Sequence, residues 1–152
     1  MSNGDITQSS GSGYAGDIGA QETWERLVGD DAAQLIDVRT MAEWNFVGIP
    51  DLAELNRKAL LCEWQHFPPS ANPNFVQEAT DELKRTPYQA GKPLFFLCRS
   101  GARSRSAAVA MTSAGFGPCF NIIDGFEGNL DPARHRGTTG GWKAAGLPWR
   151  QT

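Results

Sequence analysis

Three short apolar runs constrain this chain more than any other feature: QLIDV at 34–38, PLFFLC at 93–98 and CFNII at 119–123. Each is too short for a buried helix and lacks the alternation of a half-solvated strand. Each therefore reads as a strand buried on both faces, the pattern of a parallel sheet. ALLCEW at 59–64 is a weaker candidate of the same kind, and YAGDI at 14–18 an edge strand. Helical stretches lie between them. AQETWERLV at 20–28 is compatible with a first helix. In NPNFVQEATDELKRT at 72–86, Asn72 suits an N-cap, Pro73 the first turn, and Phe75, Ala79 and Leu83 fall four apart on one face. ARSRSAAVAMTSAG at 102–115 is a helix closed by Gly115. Strands alternating with helices imply an α/β domain, its sheet covered on both faces. A chain of 152 residues holds one such domain.

In sheets of this kind ligands bind beyond the carboxyl ends of the strands, where loops enter helices. Cys98 stands at that place on the run 93–97, followed by RSGARS. A lone cysteine closing an apolar run is ordinarily core; the loop RSGARS shifts the balance to a nucleophile. Gly101 lets the chain curl tightly, and Ser100, Ala102 and Ser104 are small enough for backbone N–H groups to turn inward. The next helix adds its N-terminal N–H groups and dipole, which together make an anion nest. Arg99, Arg103 and Arg105 bring local positive charge, although Arg105 also suits a solvated helix face. Such a nest stabilises thiolate over thiol.

The rest of the composition narrows the alternatives. A net charge of −3 argues against a general nucleic-acid binder. No apolar run is long enough to span a bilayer. MSNGDITQSSGSGYAGD has neither the basic start nor the apolar stretch of a secretory signal, so the expected location is the cytoplasm, without a membrane partner. Residues 1–13 read as a flexible tail and 14–152 as the domain. GSGYAG matches the dinucleotide fingerprint by letter, but it follows no buried strand and is set aside. Cys62, Cys98 and Cys119 are odd in number with no CxxC pair, and His66 and His135 lie far apart. Neither a disulfide scaffold nor a metal site is expected. Cys62 and Cys119 read as buried strand residues.

Four motifs in order resemble the rhodanese family over residues 14 to the end. CRSGARS is similar to its active loop, and LIDVRTMAEW to its early signature, with Asp37, Arg39, Glu43 and Trp44 in place. NIIDGFEG resembles the family's strand and Gly-Gly turn, and GWKAAGLPW its terminal tryptophan motif. The resemblance implies a three-layer fold with a central, mostly parallel five-stranded sheet and helices on both faces. Two departures stand out. VGIP puts Val47 and Gly48 where most members have Gly-His, and LDPARHRGTT lengthens the path from the turn to the tryptophan helix. Arg134, His135 and Arg136 of that insertion either reach the mouth of the site or form a solvated loop; both readings stand.

Phosphatases and arsenate reductases of the same fold carry Cys-x5-Arg. Here Ser104 is six places after Cys98, with Arg103 one place early and Arg105 one place late. A phosphoryl group needs a wider ring of donors than one terminal sulfur, so the short loop favours sulfur transfer. The resemblance then implies covalent catalysis through a persulfide on Cys98, held by the loop N–H groups of Arg99 to Ser104, with no cofactor. Its partners would be a small sulfane donor such as thiosulfate and a thiol or cyanide acceptor, a protein acceptor being a further candidate. Arg99 and Arg103 are expected to attract the anionic donor. Alternatively Asp37 and Glu43 pair with Arg103 and hold the loop, and Arg39 is structural. Phosphatase or arsenate reductase chemistry, and a sulfur-carrier or regulatory binding module, are the competing functions.

Overall fold

Five of the apolar segments pair into one sheet, and every pairing in it is parallel: β1 (Gly16–Ile18), β2 (Gln34–Asp37), β4 (Leu60–Leu61), β7 (Leu94–Leu97) and β8 (Cys119–Ile122), in the order β1-β8-β7-β2-β4. The computed structural model describes residues 13–66 and 70–151. The expected tail at 1–13 thus lies, except for Gly13, outside the described residues. β7 sits at the centre, hydrogen-bonded to β2 and β8, and all four of its residues are buried. Period-2 geometry sends alternate side chains of these strands into two separate cores.

One core gathers Ile36, Val38, Leu94, Phe96 and Cys98 under α3 (Phe75–Leu83) and α4 (Ala102–Ser113). The other gathers Leu35, Phe95, Leu97 and Ile122 with Leu27 of α1 (Ala20–Val28) and Trp142 of α5 (Gly141–Ala144). In α4 the buried residues are Ser104, Ala107, Ala108 and Met111, one stripe at helical spacing. Three alanine- or serine-sized side chains in that stripe let the helix lie close against the sheet.

The elements differ from expectation in three places. α3 begins at Phe75, not at 72, because Asn72 makes a turn of its own: its Oδ1 accepts from the N–H of Asn74 at 3.0 Å. Its Nδ2 donates to the Glu63 carbonyl and to Glu78, so Asn72 ties the segment to the strand side and does not cap the helix. Phe75, Ala79 and Leu83 are buried on one face as their spacing implies. The candidate strand at 59–64 contracts to two residues at the sheet edge. A helix that buries only Trp44, α2 (Met41–Val47), follows β2. It is fixed by a capping box in which Thr40 accepts from the Glu43 N–H while Glu43 accepts from the Thr40 N–H. Two short antiparallel pairs complete the chain: β3 (Ile49–Pro50) with β9 (Trp149–Arg150), and β5 (Gln65–His66) with β6 (Ser70–Ala71). Among the described residues no helix is long and apolar enough to cross a membrane.

Candidate active site

Cys98 follows the last residue of β7, and Gly101 is the residue on which the chain turns into α4. Gly101 has φ +113°, and a Cβ there would meet the carbonyl oxygen of Ile123 at 2.5 Å. Only glycine lets the loop take this conformation and lie this near the end of β8. The curl brings the Gly101 N–H onto the Cys98 sulfur at 3.1 Å. The Ser104 hydroxyl, from the first turn of α4, lies 3.2 Å from the same sulfur. Cys98 is 2% exposed, so the sulfur forms the floor of the loop and not its rim.

The loop is shaped from behind by the DGFEG segment. The N–H of Phe126 donates to the Cys98 carbonyl at 2.8 Å, and those of Glu127 and Gly128 both donate to the Arg99 carbonyl at 3.1 Å. Because trans peptides are planar, tying these carbonyls to the turn aims the N–H groups of Arg99 and Ser100 to the opposite side. Gly125, at φ +65°, packs where any side chain would run into the backbone of Cys98 and Arg99. The tryptophan motif holds the turn in its place. Trp142 N–H donates to the Gly125 carbonyl at 2.8 Å, Lys143 N–H to that of Phe126, and Gly141 N–H to the Asp124 carboxylate. The terminal motif therefore reaches Cys98 through two layers of backbone hydrogen bonds.

The supporting residues separate into two ion pairs. Arg103 and Glu43 form a two-pronged pair at 2.7 and 2.9 Å, joining α4 to α2. Burial pushes the Glu43 carboxyl up, but the Arg103 guanidinium and the Thr40 N–H overcome this and hold it at about 2. Arg103 is raised in turn, first by its hydrogen bond to Glu43, with the nearby Cys98 sulfur adding to the effect. Asp37 does not join Glu43 on Arg103, contrary to the expectation of a shared partner. It pairs with Arg39 at 2.6 Å, both side chains fully buried. The reason is sequence distance: two residues past the strand end, Arg39 folds straight back on the Asp37 carboxylate, donating from Nε and Nη2. Arg39 also donates to the Gly48 carbonyl at 2.8 Å and lies over the Phe126 ring at 4.2 Å. It thus ties β2 to the residue before β3 and to the DGFEG turn.

Arg99 is exposed and pairs with no carboxylate among the described residues. Ser100 is half-buried, Gly101 buried and Ala102 exposed at the start of α4. The insertion folds onto itself around Asp131, which accepts from the N–H of His135 and the hydroxyl of Thr138. Arg136 is committed to the Gly128 carbonyl at 2.7 Å, and Gly137 N–H to that of Glu127. Arg134 and His135 remain exposed. Gly48, in the family's histidine position, has φ +105°, and a Cβ there would strike Trp149 and the Arg150 carbonyl at 2.8 Å. Here the Trp149 ring covers the place of that residue, which explains the glycine. Burial pushes Cys62 up to about 12 and Cys119 up to about 11, which favours the protonated thiol in both. No cluster among the described residues has the makings of a metal site.

Sequence reading passed over Asn121 and Asp17. Ser104 donates to Asn121 Oδ1 at 2.6 Å, and Asn121 Nδ2 donates to Asp17 at 3.0 Å. An asparagine inside the apolar run CFNII was the available signal; the structure buries it fully.

Comparison with known proteins agrees with this fold. The family model for the STR4 middle domain matches residues 15–152. The chain belongs to this rhodanese-like family. The crystal structure of Rv0390 from M. tuberculosis superposes on the rhodanese-like domain with a TM-score of 0.82 at 47% identity, covering 91% of this chain and 99% of that one. A Rickettsia conorii protein, RC0915, is 38% identical over 133 residues, 88% of this chain and 95% of its own. Rhodanese-like domain-containing protein 4, chloroplastic, from Arabidopsis thaliana is 27% identical over 130 residues, which is 86% of this chain and 24% of that larger protein. The fold is the rhodanese-like one, an α/β sheet with helices on both faces.

Proposed function

We propose that this rhodanese-like domain is a sulfurtransferase that carries sulfane sulfur on Cys98. The observation that carries the reading is the pairing of the Gly101 N–H and the small Ser104 side chain on one sulfur, at 3.1 and 3.2 Å. In Cys-x5-Arg enzymes an arginine holds the position of Ser104. Here that position is fully buried and serine-sized, and the neighbouring Arg103 is turned away onto Glu43. That arrangement supports a site fitted to a single sulfur and not to a tetrahedral oxyanion.

In the first half-reaction the Cys98 thiolate attacks the outer sulfur of a donor such as thiosulfate. A new S–S bond forms, the donor S–S bond breaks, and sulfite leaves with the electron pair. The Gly101 N–H and the N-terminal end of α4 stabilise the anionic persulfide. In the second, a thiolate or cyanide acceptor takes the outer sulfur and Cys98 leaves as thiolate. Arg103 is neutralised by Glu43, so Arg99 at the exposed rim is the cation that draws in an anionic donor.

Intact-mass measurement after incubation with thiosulfate should show a gain of one sulfur atom, absent in Cys98→Ser and reversed by cyanide. A wild-type protein that takes no sulfur from any of a panel of sulfane donors, yet turns over an aryl phosphate through Cys98, would replace this reading with phosphatase chemistry.

A further inference from the structure

The hydroxyl beside the Cys98 sulfur is not free to choose its direction. Asp17 of β1 and Asn121 of β8 are register partners across the sheet. As a carboxylate, Asp17 only accepts hydrogen bonds, from Asn121 Nδ2 at 3.0 Å and from the Tyr14 hydroxyl at 2.9 Å. Its presence fixes which end of the Asn121 amide points outward, and so turns Oδ1 inward to Ser104. That oxygen has no proton to give, so at 2.6 Å the Ser104 hydroxyl is the donor. Ser104 is left presenting a lone pair to Cys98 Sγ at 3.2 Å. A lone pair there accepts from a thiol S–H and repels a thiolate.

We propose that Asn121, anchored by Asp17, is a positioning residue that aims the Ser104 hydroxyl away from Cys98 and thereby sets how readily that sulfur becomes anionic. The inference rests on the reading of Cys98 as the nucleophile. The effect opposes the Gly101 N–H, which donates to the sulfur and favours its charged form. When Cys98 ionises, Ser104 either keeps its lone pair against the thiolate or turns its proton to the sulfur and strands a fully buried amide oxygen; both disfavour the anion. The amide conducts no proton, so the chain Cys98–Ser104–Asn121–Asp17 orients and does not relay. Other charged or titratable groups face the site from each side. They are Arg103 with Glu43 on the helices, Asp37 with Arg39 at the end of β2, Arg99 on the rim, and Tyr14 with Arg105 around Asp17.

The test is the pH dependence of Cys98 alkylation by iodoacetamide, read as mass on the Cys98 peptide in the folded protein. Asn121→Val frees the Ser104 hydroxyl to donate to the sulfur, and the alkylation midpoint should fall by about one pH unit. Asp17→Ala, on the exposed side of the pair, lets the amide invert and should lower the midpoint too, without touching the buried strand residue. Both effects must disappear in a Ser104→Ala background, because a change of field or polarity alone would persist there. An unmoved midpoint, or an equal shift with and without Ser104, overturns the inference. Alkylation does not depend on sulfur transfer, so the two readings fail separately. A coupled shift in a protein that takes no sulfur counts against the proposed function alone. Sulfur loading without the coupling counts against Asn121 alone.

Discussion

Glu43 takes four donors on one carboxylate: the N–H and hydroxyl of Thr40, and two guanidinium nitrogens of Arg103. One side chain therefore caps α2 and holds the first turn of α4 beside Cys98. Its carboxyl is lowered from 4.5 to about 2 in the folded protein, so this stabilisation is fully present above about pH 4.5 and is lost as the pH falls through 2. Glu43→Gln should cost about 1–2 kcal/mol at neutral pH, a discounted figure because the pair is one-fifth exposed. It should also flatten the acid limb of a denaturation profile between pH 4.5 and 2. Urea unfolding at stepped pH measures both; an unchanged acid limb would show that the pair contributes nothing to folding. The pair of Glu43 with Arg103 was one of the two roles expected of these residues alongside the family resemblance; no local pattern identifies it, because Arg103 lies 60 residues away.

At the scale of elements, the active loop is one layer of a stack. α5 donates to the DGFEG turn, and the turn donates to the carbonyls of Cys98 and Arg99. The Lys143 ammonium lies 3.9 Å from the Trp149 ring and 5.3 Å from that of Phe126, filling the space beside the turn. Gly125 is the point where the layers touch, with left-handed backbone and no room for a Cβ. Gly125→Ala should lower stability by about 1–3 kcal/mol and displace the loop. The expected signature is a lower thermal midpoint together with a larger loss of persulfide formation than the stability change alone explains. Equal persulfide yield from the folded fraction would mean that the turn supports the fold and not the site. The four motifs were visible as separate letters in the sequence. Their order in space was not, because backbone hydrogen bonds between distant turns leave no periodicity.

At the scale of the whole molecule, sheet register decides which cysteines can meet. Asp37 of β2 is paired with Leu97 of β7 on one side and Leu61 of β4 on the other. Cys98 and Cys62 therefore flank Val38 on opposite strands, about 9.6 Å apart at two strand spacings. A disulfide needs Cα atoms within about 7 Å. Cys119 pairs in register with Leu94, four residues back along β7 and about 13 Å from Cys98. Treatment with diamide should therefore produce no intrachain disulfide, and Cys62 and Cys119 should both alkylate after denaturation. A two-thiol loss in the denatured mass would contradict this register. The chain alone determined the layered α/β class, the strand that delivers Cys98, and the serine six places beyond it. These depend on local apolar runs and on spacing along one loop, which the sequence states directly. Tertiary structure decided the rest: Asp37 on Arg39, Glu43 on Arg103 (a pair left open as one of two alternatives), Gly48 beneath Trp149, and Asn121 behind Ser104. Apart from the Asp37 pair, each joins residues from different elements, and only the packing of those elements brings them within reach.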